Sequence, residues 1–136
     1  MNKRLLILGA GEMQVPVIRK ANDMGLHTIV ADMDANTPGM GYASEPVLVS
    51  TMDKEGVLEC AKRHSVDGIL TTSDAPVNVV SYVGEQLGLP SMSTEVAKIC
   101  TNKCLRPTGL MYHFSCFVIK IRTWAHCKII HILSNR

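Results

Sequence analysis

The chain has 136 residues, 46% of them hydrophobic and 19% charged, with a formal net charge of +2; that bounds it to one globular domain with a modest core. No run approaches the roughly 18 apolar residues of a membrane span. The basic, apolar start at Met1–Gly11 meets Glu12 rather than a small-residue cleavage site, so a secretory signal is not expected.

Arg4–Leu8 is a short continuous apolar run, the pattern of a buried parallel strand. Gly9-Ala10-Gly11 turns the chain. Val17, Ile18, Ala21 and Met24 then recur at helical spacing until Gly25. Pro16 fits the first helical turn, where a backbone donor has no intrahelical partner. His27–Asp34 is a second strand that ends at two acids, and Asn36–Ala43 is turn-rich. Glu45–Ser50 is a third strand, which Pro46 assigns to the sheet edge. Asp53 caps a helix carrying Val57, Leu58 and Ala61. Asp67–Asp74 is a fourth strand with a polar end, followed by a helix over Pro76–Leu87 with Val77, Val80, Val83 and Gly84 on its apolar side. Leu89–Ser91 is the candidate for a brief fifth strand. Ser93 then caps a helix whose apolar positions are Val96, Ile99 and Cys100.

Strand and helix therefore alternate with short connections. The pattern predicts an α/β fold: a Rossmann-like, doubly wound parallel sheet of four to five strands with helices on both faces. Ligands of such sheets bind outside the carboxyl ends of the strands. Three polar segments meet that description: Gly9–Gln14, Asp32 with Asp34, and Thr71–Asp74.

The first of these has two glycines of a Gly-x-Gly-x-x-Gly pattern, with Gln14 in place of the third. Gly9 and Gly11 allow a tight turn and close backbone approach, and the helix start offers free N–H groups to an anion. Dinucleotide binding also wants a third glycine for close packing and an acid about 20 residues on. Asp32 meets the second condition and Gln14 fails the first. Dinucleotide binding, a purely structural turn and a different ligand at the same edge all remain open. Thr71, Thr72, Ser73 and Asp74 bring three hydroxyls and a carboxylate to a strand end; Ser73 or Asp74 can equally be a helix cap. Asp32 and Asp34 suit a ribose, a metal or a turn, and no further metal ligands are identified.

All twelve acidic residues fall between Glu12 and Glu95. Residues 1–102 hold eight basic and twelve acidic side chains, a formal −4; the remainder holds six basic side chains, no acid, and +6. That end also contains four of the six aromatic residues and three of the five histidines. Phe117–Ile121 reads as a strand but fits no βα unit. His113-x-x-Cys116 and His126-Cys127 match no standard zinc spacing. The basic residues are too dispersed for a nucleic-acid or membrane patch. The expectation is a domain over 1–103 and an atypical basic tail over 104–136, an out-of-frame or spliced continuation. The five cysteines are read as reduced thiols of a cytoplasmic protein, with Cys60 and Cys100 as small core residues.

The ordered set Gly-x-Gly-Glu, Asp-x-Asp with Pro-Gly, Tyr-Ala and a closing Thr-Asn-Lys resembles the N-terminal, biotin-carboxylase-like or pre-ATP-grasp domain of ATP-grasp ligases, over about Lys3–Lys103. The nearest in character are the carbamoyl-phosphate synthase-like ligases and the formate-dependent glycinamide ribonucleotide transformylase. The resemblance implies a whole enzyme that uses ATP and Mg2+ to turn a carboxylate into an acylphosphate for attack by an amine. It implies that Gly9, Gly11, Glu12, Met13 and Gln14 line the substrate site, with Thr72, Ser73 and Asp74 opposite. The partner is then a small-molecule carboxylate or amine, with neither nucleic acid nor membrane involved. The family's ATP-binding part begins where this resemblance ends, so no catalysis, and no ATP or Mg2+ binding, is expected of this chain alone. Uncovered sheet edges favour self-association, which leaves a homodimer open. The alternative is a stand-alone Rossmann module binding a nucleotide or dinucleotide, with Asp32 on the ribose. A third reading is a small interaction protein whose tail engages a partner.

Overall fold

The structure is a computed structural model, and it describes residues 3–101. The strand at Phe117–Ile121 and the His/Cys pairs predicted for the tail lie outside the described residues, as does the side chain of Cys100. The elements in order are strand β1 (Arg4–Leu8), helix α1 (Val15–Asp23), strand β2 (His27–Asp32), a 3₁₀ turn (Pro38–Tyr42), strand β3 (Glu45–Leu48), helix α2 (Lys54–Arg63), strand β4 (Gly68–Thr71), helix α3 (Val77–Leu87) and helix α4 (Thr94–Thr101).

The four strands form one parallel sheet in the order β3-β2-β1-β4. The α/β Rossmann-like sheet is therefore present, with β3 at an edge where Pro46 has no ladder bond to supply. Successive residues of a strand face opposite sides of the sheet. Leu6, Leu8, Ile29 and Ala31 pack with Val57, Leu58, Cys60 and Ala61 of α2 and with Val79 and Val83 of α3. Ile7 and Val30, also fully buried, point to the other face, on which right-handed crossover places α1 with its buried Ile18 and Ala21. Burial pushes the Cys60 thiol up from its ordinary range; Arg63 opposes this slightly and Glu45 adds to it.

The order in which strands are added reverses at one place. The chain steps outward from β1 to β2 to β3, then crosses back over the sheet to add β4 on the free side of β1. The crevice between β1 and β4 is the topological switch point, where ligands of open α/β sheets bind. At the opposite, amino edge, Glu45 lies 3.3 Å from both His27 Nε2 and His64 Nδ1 and 4.0 Å from Arg4, which pins the edge strand far from that crevice.

Asp53 caps α2 as predicted, its carboxylate accepting from the Gly56 amide at 3.1 Å. Ser93 does the same for α4, its hydroxyl accepting from Val96 N at 3.3 Å. Three expectations fail. Among the described residues Leu89–Ser91 forms no strand. The Leu89 amide instead closes the end of α3 on the Gly84 carbonyl at 2.8 Å, and Ser91 is pressed against Gly84, where an added Cβ would overlap it. A segment used to cap a helix cannot also extend into a ladder. Among the described side chains of α4, Ala97 is buried while Val96 and Ile99 are exposed; α4 packs on α3 rather than on the sheet, and that closer contact takes the smallest side chain. In α3, Val79 and Val83 are the fully buried valines, with Val77 and Val80 only partly covered. Thr94 links α4 back to α3, donating its amide to Glu85 at 2.7 Å and its hydroxyl to the other oxygen of the same carboxylate. Both bonds hold the Glu85 carboxyl below its ordinary range.

Candidate functional site at the switch point

The loop after β1 begins with Gly9 at φ +99, a conformation that side-chain-bearing residues rarely adopt. Its amide donates to Ala31 O at 2.9 Å, extending the sheet by one rung. Ala10 follows, fully buried, with its amide donating to Asp32 Oδ2 at 2.8 Å. The other oxygen of Asp32 accepts from Asp34 N at 3.1 Å. Asp32 thus ties the loop after β1 to the end of β2. Each of its oxygens accepts one bond within the protein, which leaves acceptor sites on a half-buried carboxylate.

The Asp34 carboxylate in turn accepts from Asn36 N at 2.8 Å and forms the turn predicted there. That turn leads to Gly39, whose amide donates to Ala10 O at 2.6 Å. No Cβ would fit at Gly39: it would stand 2.6 Å from Ala10 O and 2.8 Å from Ile18 Cδ1. The sequence marks Asn36–Ala43 as turn-rich; that it buttresses the loop after β1 is a tertiary contact. The Pro38-Gly39 pair was the available signal.

The second wall is the loop after β4. Thr71 Oγ1 donates to Leu8 O at 3.0 Å and accepts from Ser73 N at 3.1 Å. Gln14 Nε2 donates across the crevice to Thr72 Oγ1 at 2.8 Å and to Ser73 Oγ at 3.0 Å. Neither Ser73 nor Asp74 caps α3 with its side chain: Pro76 stands at the cap position, and the Ser73 hydroxyl is turned toward Gln14. The capping reading of Ser73 and Asp74 is therefore corrected: the Thr72 and Ser73 hydroxyls are engaged with the opposite loop.

Gln14 is buried, at 6% exposure. Its carbonyl accepts from Val17 and Ile18 at 3.1 Å, and Pro16 has no amide, so the first turn of α1 offers fewer free donors than usual. Glu12, Met13, Thr72 and Asp74 are exposed, and Gly11 and Ser73 partly so. Gly9, Gly11, Glu12, Met13, Gln14, Thr72, Ser73 and Asp74 thus lie at one sheet edge, with Gln14 beneath and the others around it. Among the described residues no group of three or more His, Cys, Asp or Glu is placed to hold a metal ion. No described helix is long and apolar enough to cross a membrane.

Asp32→Ala is expected to cost roughly 2–3 kcal/mol, since it strands the buried Ala10 amide and removes two charge-assisted bonds. Urea unfolding followed by far-UV circular dichroism would measure it. Unchanged stability would show that the two bonds do not hold the loop.

No protein-family model matches the chain. Curated relatives do. The formate-dependent phosphoribosylglycinamide formyltransferase of Synechococcus sp. (strain WH7803) is 30% identical over 99 residues, covering 72% of this chain and 25% of the relative. That of Sulfurisphaera tokodaii is 28% identical over 102 residues, covering 74% and 26%. Among solved structures, phosphoribosylglycinamide synthetase from Anaerococcus prevotii superposes with a TM-score of 0.70 at 29% identity, over 77% of this chain and 27% of that one. N5-carboxyaminoimidazole ribonucleotide synthetase from Thermotoga maritima, with a TM-score of 0.64 at 21% identity over 76% and 28%, shares the fold. The chain spans about a quarter of the length of these proteins. By sequence and by fold, it is homologous to the N-terminal, pre-ATP-grasp domain of the ATP-grasp ligases.

Proposed function

We propose that residues 1–103 are the substrate-side domain of an ATP-dependent carboxylate–amine ligase, and that the β1/β4 switch-point edge is its substrate wall. The observation that carries this reading is the link from Gln14 to Thr72 and Ser73. It joins the two loops on which the resemblance places substrate contacts, and it fills with a side chain the position that a dinucleotide loop leaves to glycine. The relatives' names point to a phosphoribosylglycinamide-like ligand, an amine carried on a phosphorylated ribose. The backbone of Gly11–Met13 and the small residues Gly9–Gly11 suit the anionic end of such a ligand, and Thr72, Ser73 and Asp74 offer hydrogen-bonding groups to its hydroxyls or amine. A cytoplasmic location fits biosynthetic chemistry on phosphorylated intermediates.

ATP and Mg2+ would supply carboxylate activation in an intact enzyme. The 136-residue chain is expected to show no ATP hydrolysis above a mock-purified control in a phosphate-release assay, and release above that control would overturn this expectation. The substrate wall is tested by titrating phosphoribosylglycinamide, formate and NADH separately into the full chain while following backbone amide resonances. Shifts confined to residues 9–14 and 72–76 with phosphoribosylglycinamide or formate support the proposal. Saturable NADH binding at those residues, with no response to the other two, would favour the nucleotide module instead.

A further inference from the structure

We propose that Gln14 is a positioning residue that locks the β1–α1 and β4–α3 loops into one rigid wall of the cleft. The inference rests on the reading of that edge as a substrate wall. Three observations support it. First, Gln14 is buried while the two residues before it, Glu12 and Met13, are exposed; a polar side chain turned inward at a helix start is held there by partners or not at all. Second, its partners are not local: Thr72 and Ser73 lie 58 and 59 residues away in the chain. Third, Gly11 gives it room, while Gly9 lies in ordinary contact with its side chain. A Cβ on Gly9 would sit 3.4 Å from Gln14 Cγ, and one on Gly11 would sit 3.1 Å from Gln14 Oε1.

The backbone completes the device. The carbonyl of Gln14 is bound by the first turn of α1, and its own amide donates to Gly11 O at 2.9 Å, so its position follows both loop and helix. Thr71 fixes the far loop to β1 through Leu8 O. A glutamine spans the gap between the neighbouring strand ends, and its flat amide reaches two hydroxyls at once. A glycine there would leave the two walls joined only through the sheet beneath them. Preorganised walls lower the ordering cost of binding.

Site-resolved amide hydrogen exchange on the full chain tests this without a ligand. Gln14→Met keeps length and bulk but loses the amide. It is expected to speed exchange by about tenfold or more at residues 9–13 and at 72–76 together, with β1 and β2 unchanged. Gln14→Glu, whose carboxylate can accept from both hydroxyls, is expected to restore protection to both loops. The reciprocal pair Thr72→Val with Ser73→Ala should loosen 9–13 from across the crevice, and it decides the matter if Gln14→Met fails to fold. Faster exchange confined to 9–13, failure of Gln14→Glu to restore protection, or a silent reciprocal pair would overturn the proposal. Coupled loops without any ligand-induced shift would instead overturn the substrate reading alone.

Discussion

Gly39→Ala is expected to destabilise the domain by about 3 kcal/mol, the upper part of the usual range for overpacking. The added methyl group would meet Ala10 O at 2.6 Å, Ala10 Cα at 2.9 Å and Ile18 Cδ1 at 2.8 Å. Two of these three atoms are backbone, and Ala10 is itself held by Asp32, so relief requires moving the loop after β1 rather than a side-chain tip. Moving it lengthens the bond from Gly39 N to Ala10 O. For a unit of about 100 residues each kcal/mol lowers the melting temperature by roughly 4–8 °C, so thermal unfolding would register the change plainly. Gly41→Ala is the matched control, because a Cβ there meets nothing within 4 Å. Equal melting temperatures for the two variants would show that the 3₁₀ turn does not press on the loop.

Leu6→Ala carries the other large effect, about 3–5 kcal/mol. Leu6 is fully buried at the centre of the sheet, paired with Ile29 on one side and Ile69 on the other. It faces the cluster that includes Val57, Val79 and Val83. Helices α2 and α3 close over the cavity, and central strands cannot collapse into it without losing register on both sides. Domains of this size hold roughly 5–15 kcal/mol in total, so the variant should be largely unfolded at moderate urea. Leu48→Ala makes the same chemical change on the edge strand, at 64% exposure, and is expected to stay within about 0.5 kcal/mol of wild type. The urea midpoint, read with an unchanged m-value, separates the two; similar midpoints would refute the assignment of the core.

These two residues show what kind of information each level holds. Leu6 sits in a continuous apolar run, and a parallel strand covered on both faces needs that run, so its burial was legible from local pattern alone. Gly39 was legible only as a turn glycine. Its reason for being glycine is a contact with Ala10, and nothing local encodes a contact between a turn and a loop nearly thirty residues earlier. Asp32 is similar. Its place at the end of β2 fits the spacing of a ribose-binding acid, yet its oxygens bind Ala10 and Asp34. Spacing places a carboxylate at a strand end but does not say whether ligand or backbone takes it.

The amino-acid sequence by itself determined the alternation of strand and helix, the edge position of β3 through Pro46, the caps at Asp53 and Ser93, and the gathering of polar loops at the carboxyl edge. Each follows from hydrophobic period, a missing backbone donor or a short-range hydrogen bond, all properties of neighbouring residues. The tertiary structure alone decided that Leu89–Ser91 caps a helix instead of adding a strand, that α4 buries Ala97, and that Gln14 turns inward to Thr72 and Ser73. Those outcomes depend on which surfaces meet after the crossover from β3 to β4, and the energies that select them arise between segments that are distant in the chain.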